Sequence, residues 1–395
     1  MNQNVFIRSL RPPARSFFLF GPRATGKSTW LKKSFPQAFR LDLLDAEAAM
    51  ELTREPHRLE ALIAAGARGR HPWVILDEVQ KIPALLAEVH RLMELGPWRF
   101  VLCGSSARKL KRGGADLLGG RALTLSMESF TAAELGERFN VAQAIQWGTL
   151  PLVSLSAREA PDLLRAYVQT YIREEIKEEG LVRNVPPFLR FLEIAGLLNG
   201  QIVNASNIAS QAGVPRASVD HYFSILQDTL LGHFLPAYRP LAKVREGSHP
   251  KFYWFDPGVA RGAAGLLSDP VDGFWKGRAL ETLIFHELRV HNETQKKFRP
   301  LAYYRTPAGV EIDFVIETRK RTTETPPDIV LIELKHASRW ERSWHRALLD
   351  MAAQKSVRVR RALGIYLGDR SYRFGPVEIL PLPRFLKELN DGKIF

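Results

Sequence analysis

Apolar positions along the chain follow two rhythms. Residues 17–20 (FFLF), 73–76 (WVIL) and the run inside 99–106 (RFVLCGSS) are short and nearly continuous, the pattern of strands buried on both faces. Elsewhere the apolar residues recur at helical spacing. Leu163, Leu164, Tyr167, Val168, Tyr171 and Ile172 form one such stripe, and Leu280, Leu283, Ile284 and Leu288 form another. Between them, Ile208 and Ala209 on one helix, a turn at Gly213-Val214, and Val219, Phe223 and Leu226 on a helix from about Pro215 have helix-turn-helix spacing. On that second helix Arg216, Ser218, His221 and Tyr222 are expected to face outward. Residues 301–317 predict two strands joined at Pro307-Ala308-Gly309, the second alternating Val310, Ile312, Phe314 and Ile316 against Glu311, Asp313 and Val315. That alternation places Asp313 off the apolar face. The next strand, IVLIELKHA (329–337), begins apolar and ends with Glu333 and Lys335 two positions apart, hence on one face.

The first strand leads into Gly21-Pro22-Arg23-Ala24-Thr25-Gly26-Lys27-Ser28-Thr29, and an amphipathic helix starts at about Lys27. This is the full G-x4-G-K-[ST] phosphate-loop pattern between a strand and a helix. Its glycines let backbone amides turn toward an anion, and the helix N-terminus adds a positive dipole end. Lys27 is expected on the β and γ phosphates of ATP and Ser28 on magnesium. The second strand ends in Asp77-Glu78. Alone that pair reads as an acidic helix cap; with the loop upstream, Asp77 reads as a magnesium holder and Glu78 as the group that polarises water. The third strand ends in Gly104-Ser105-Ser106, where a polar side chain can sense the γ-phosphate.

At 395 residues the chain exceeds one hydrophobic core, so two or three domains are expected. Its net charge of +14 points to a polyanion, nucleic acid before membrane, and the excess lies at the two ends while the middle is near neutral. That neutrality weighs against DNA contact by the helix-turn-helix, whose second helix has Arg216 as its one basic residue. A single cysteine, Cys103, excludes an internal disulfide. The apolar run before Gly21 is too short for a signal segment or a membrane span, so a cytoplasmic location is expected.

The phosphate loop, the Asp-Glu strand and CGSSARKL, followed by GGRALTLSMESFTAAEL, resemble AAA-type (AAA+) ATPases of a prokaryotic branch. The resemblance implies that Lys27 and Ser28 bind nucleotide and magnesium, that Asp77 and Glu78 form Walker B, and that Ser105 is the sensor. It also implies a homo-oligomeric ring in which either Arg108 or Arg121 acts on a neighbour's nucleotide. That branch usually carries Arg-Asp after the Tyr-x-x-x-Tyr pair; this chain reads Tyr167, Tyr171, then Arg173, Glu174 and Glu175.

Glu on a helix, Asp on a strand, then Glu-x-Lys on the next strand is similar to the PD-(D/E)xK restriction-endonuclease-like fold. By that resemblance Asp313 and Glu333 hold magnesium, Glu281 supports them, and Lys335 orients or deprotonates the attacking water. Hard oxygen ligands suit magnesium, and a lysine beside it stabilises developing negative charge. The order of parts resembles a prokaryotic ATPase family whose C-terminal half is a domain of unknown function. The expected architecture is α/β: an AAA+ ATPase domain at 1–150, a helical and winged-helix domain at 151–245, and an endonuclease-like domain at 246–395. The expected function is a magnesium-dependent ATPase acting on DNA, with metal-dependent cleavage at the second centre left open. The alternative is a nucleotide-gated scaffold whose endonuclease-like domain only grips DNA or protein.

Overall fold

The computed structural model describes residues 6–66, 72–105, 108, 110, 118–172, 185–239 and 249–395. Its N-terminal layer is a five-stranded parallel sheet of β1 (Phe17–Phe20), β2 (Phe39–Asp42), β3 (Trp73–Asp77), β4 (Arg99–Gly104) and β5 (Leu123–Ser126), in the order β2-β3-β4-β1-β5. The period of two explains why β1 is wholly apolar. Phe17 and Leu19 pack with Trp30, Leu31 and Trp73 on one face, while Phe18 and Phe20 pack with Val74, Leu76 and Leu102 on the other.

The middle of the chain is helical. Helix Ala160–Ala166 runs into a π-helical turn, Tyr167–Ile172. Of the predicted stripe, Leu164, Tyr167 and Ile172 are fully buried. Helices Ala205–Ala212 and Arg216–Asp228 follow, joined through Gly213 at φ +64, a left-handed position that glycine fills without strain. They pack beside a three-stranded antiparallel sheet of β6 (Gln201–Ile202), β7 (Gly232–Leu235) and β8 (Lys251–Trp254), ordered β6-β8-β7. Val219, Phe223 and Leu226 point inward as their spacing predicts. Tyr222 does not face outward: its ring packs 5.0 Å from Phe188 and 5.2 Å from Phe191, because the preceding helix Val185–Leu197 covers that side. The sheet crosses residue 245, the boundary expected between the middle and C-terminal domains, since β8 completes it.

The C-terminal sheet has the order β13-β14-β12-β11-β10-β9, from β9 (Leu301–Arg305), β10 (Glu311–Arg319), β11 (Asp328–Lys335), β12 (Arg358–Tyr366), β13 (Tyr372–Phe374) and β14 (Val377–Pro381). Strands β11, β12 and β14 are parallel, and the rest pair antiparallel. The β9–β10 turn uses Gly309 at φ +84. The 22-residue helix Gly273–Thr294 lies on one face, stacking Phe285 on Phe314 at 6.0 Å, and helix Arg346–Ala352 covers the other. Strict alternation fails on β10. Ile312 and Val315 share one core and Phe314 and Ile316 the other, because the β9–β10 register shifts between Ile312 and Val315. Such a bulge re-aims side chains. With both faces of the sheet covered, Asp313 is buried at 7% exposure.

Candidate functional sites

The phosphate loop sits between β1 and helix Lys27–Ser34. Ala24 (φ 61) and Gly26 (φ 92) take left-handed backbone, which turns the loop back on itself. Gly21 is required by close approach, since a Cβ there would stand 2.2 Å from the Met127 carbonyl oxygen. Thr25 is buried and donates to the Pro22 carbonyl at 2.9 Å. The Lys27 ammonium folds over the loop, donating to the Gly21 and Pro22 carbonyls at 2.7 and 3.0 Å. Ser28 and Thr29 are exposed on the first turn, and the Ser28 hydroxyl donates to Asp77 Oδ2 at 2.9 Å.

Glu78, at φ 57, is turned out of the strand line beside Asp77. Burial raises its carboxyl, against a hydrogen bond from Gln80 and the charges of Lys27 and Arg23. Gln80 Nε2 donates to Glu78 Oε2 at 2.6 Å and lies 3.2 Å from Ser105 Oγ, so one buried amide ties the ends of β3 and β4 together. Gln80 was missed in the sequence; its only signal there is its place two residues after Glu78. The structure therefore brings Lys27, Ser28, Asp77, Glu78 and Ser105 into one site. Ser106, Arg173, Glu174 and Glu175 lie outside the described residues.

The middle of the chain closes over this loop. Tyr167 Oη donates to the Arg23 carbonyl at 3.1 Å, and a cleft beside the loop is lined by Pro22, Arg23, Ser105, Tyr167, Thr229 and Leu231. The two candidate finger arginines part here. Arg108 is 8% exposed and pairs with Asp228 on helix Arg216–Asp228 of its own chain. Arg121 is about half exposed and donates to Glu94 at 2.8 Å.

The second candidate centre lies at helix Gly273–Thr294, β10 and β11. Asp313 Oδ2 accepts the Leu334 amide at 2.7 Å, and the Lys335 ammonium contacts Glu333 Oε1. Burial raises the Asp313 carboxyl; burial and then Asp313 push Glu333 up to about 8 and Glu281 to about 7. Burial opposes the charge of Lys335, but Glu333 and Asp313 outweigh it and raise its pKa. Glu311 on β10 lies beside the three predicted carboxylates and shares the Lys251 ammonium with Glu281. Sequence reasoning missed a buried cationic partner of theirs. Lys251 on β8 is buried, with its ammonium 2.5 Å from Glu311 and 3.4 Å from Glu281, and Tyr253 Oη donates to Glu281 at 3.0 Å.

Among the described residues no three His, Cys, Asp or Glu side chains are gathered as a ready-made metal cage. The expected Glu281, Asp313 and Glu333 set is instead divided between Lys251, the Leu334 amide and Lys335. Its donor chemistry still fits magnesium: the ligand atoms are all oxygens, and Glu333 Oε2 is buried and accepts no hydrogen bond among the described residues.

Residues 14–136 match an AAA domain family, residues 138–269 a domain of unknown function (DUF8612), and residues 276–385 a second domain of unknown function (DUF4143). The AAA match over residues 14–136 is in keeping with the parallel sheet and phosphate loop of that segment. No curated protein matches the chain. Among solved structures, the Aeropyrum pernix ORC1 protein in complex with DNA is similar at 16% identity and a TM-score of 0.24, over 65% of this chain and 87% of that one. A signal transduction ATPase with numerous domains (STAND) and a tetratricopeptide repeat sensor, PH0952 from Pyrococcus horikoshii, is similar at 13% identity and a TM-score of 0.22, over 71% of this chain and 45% of that one. Among the described residues no helix is long and apolar enough to cross a membrane.

Proposed function

We propose that the protein is a magnesium-dependent ATPase that acts on DNA, with its winged-helix and endonuclease-like parts responding to the nucleotide. The observation that carries this reading is the Ser28–Asp77 hydrogen bond at 2.9 Å beside the Lys27 ammonium, which joins the two halves of a phosphate-and-metal site. Lys27 and the amides of residues 21–29 bind the triphosphate, and Ser28 and Asp77 would hold magnesium. Bound magnesium neutralises charge on the phosphates. Glu78 polarises the attacking water, and Ser105 reports the γ-phosphate to Glu78 through Gln80. Arg121, the more exposed of the two arginines, is the finger assigned to a neighbour in a ring.

Two observations support DNA as the partner. The net charge is +14, and Arg319, Arg358 and Arg360 all converge on one carboxylate, Asp328, at 3.1, 3.8 and 2.9 Å, leaving that end of the C-terminal sheet strongly positive. At the other end of β11, Asp313, Glu333 and Glu281 would hold a divalent cation, which lowers the pKa of a bound water, and Lys335 stabilises negative charge on a phosphodiester. One observation favours a second reading, a nucleotide-gated scaffold that grips without cutting: Lys251 and Tyr253 already engage Glu281.

ATP turnover with and without magnesium tests the first reading. Lys27→Ala should lower it at least about a hundredfold, the scale of losing one strong transition-state donor. Unchanged hydrolysis in that variant sinks the site assignment.

A further inference from the structure

Strand β8 serves two parts of the molecule at once. By the period of two, Phe252 and Trp254 turn to one side, where Phe252 packs 4.9 Å from Phe223 and Trp254 Nε1 donates to the Ala195 carbonyl at 3.0 Å. Lys251 and Tyr253 turn to the other, into the carboxylate centre of the C-terminal sheet. A lysine with a 4% exposed side chain is costly unless paired, and Lys251 is paired twice, with Glu311 at 2.5 Å and with Glu281 at 3.4 Å. Its ammonium also lies 5.5 Å from the Tyr303 ring centroid. Four carboxylates, Glu281, Glu311, Asp313 and Glu333, thus face two ammonium groups, Lys251 and Lys335. Arg305 adds a third cation on the outer side of Glu311, at 3.3 Å, so with every group charged the carboxylates still exceed the cations. Glu333 Oε2 is the buried oxygen of this cluster left without a donor among the described residues.

We propose that Lys251 is the resident cation of this centre and competes with a divalent metal for Glu281, so that metal loading depends on how β8 is seated. This rests on the metal-binding reading of Asp313 and Glu333 above. The Lys251 ammonium occupies the Glu281 end of the cluster, and Tyr253 holds the same Glu281 oxygen, Oε2, from the same strand. A metal that takes Oε2 of Glu281 as a ligand displaces both contacts. Any movement that withdraws β8 withdraws both contacts together.

The test is Mn²⁺ binding to the full-length protein without nucleotide, in an Asp77→Ala background that removes the metal holder of the phosphate loop, followed by electron paramagnetic resonance of free Mn²⁺. Lys251→Met should tighten binding about tenfold or more, because a like charge leaves the site. Lys251→Arg, which keeps the charge, should stay close to the parent, and Tyr253→Phe should tighten binding by a smaller factor. Binding that is abolished by Asp313→Ala yet unchanged or weakened in Lys251→Met overturns the role of Lys251 and leaves the metal reading standing. No Mn²⁺ bound by the parent or by Lys251→Met overturns the metal reading, and this inference with it. Should Lys251→Met fail to fold, Tyr253→Phe decides: unchanged or weaker Mn²⁺ binding there overturns the competition.

Discussion

Glu287 allows a quantitative test of how the N-terminal segment is fastened to helix Gly273–Thr294. It is 5% exposed, and its Oε1 accepts the Ala132 amide at 2.6 Å across that seam. Burial pushes its carboxyl up to about 8, against the Ala132 hydrogen bond and with a further push from Glu134. The folded carboxyl therefore keeps its proton to about pH 8, whereas the unfolded one loses it near the ordinary 4.5. Between those values the folded state binds more protons, so stability falls as pH rises. The contribution is fully present below about 4.5 and lost by the time pH passes 8. At about 1.4 kcal/mol per tenfold change, the loss is roughly 4–5 kcal/mol. Glu287→Gln keeps an oxygen for the Ala132 amide and removes the titration. Urea melts of both proteins from pH 5 to pH 9 isolate this group, because the other titrating groups cancel in the difference. The variant should gain several kcal/mol on the parent across that range. Two stability curves that stay parallel refute the reasoning.

Three further outcomes follow from the two centres. Plasmid, linear and branched DNA incubated with magnesium or manganese should be cut, and Asp313→Ala or Lys335→Ala should abolish cutting; binding without cutting in the parent favours the scaffold. Arg121→Ala should lower ATP turnover only where the protein is assembled, so a loss that does not depend on protein concentration counts against a trans role. Arg108→Ala should act mainly on stability, by about 1–2 kcal/mol in a urea melt, because Asp228 is partly exposed and its half of the pair is softened by solvent.

The parts of this molecule that could be read from sequence are those whose chemistry is contiguous. Residues 17–29 hold a strand, a loop and a helix start, and the local pattern alone predicts β1, the turn and the helix beginning at Lys27. The stripe of Leu280, Leu283, Ile284 and Leu288 on helix Gly273–Thr294 is legible for the same reason. What failed needed a distant partner. Tyr222 reads as an outward residue until helix Val185–Leu197 covers it, and the ion-pair partner of Arg108, Asp228, lies 120 residues on. Asp313 was assigned by a strict period of two, and the register shift between Ile312 and Val315, which pairing with β9 imposes, broke that period.

Lys251 is the sharpest case. In KFYWFD it heads an aromatic run and reads as the polar end of a strand, and nothing nearby tells against that. Its meaning comes from Glu281, 30 residues away on a helix, and from Glu311 on β10. A buried ammonium cannot be recognised from its neighbours in sequence, because what justifies the cost of burying it is the carboxylates it meets after folding. The same argument bears on Glu333 and Lys335. Read locally they form an ordinary strand-end pair, and they become a candidate centre only once the chain has brought Asp313, Glu281 and the lysine of β8 around them.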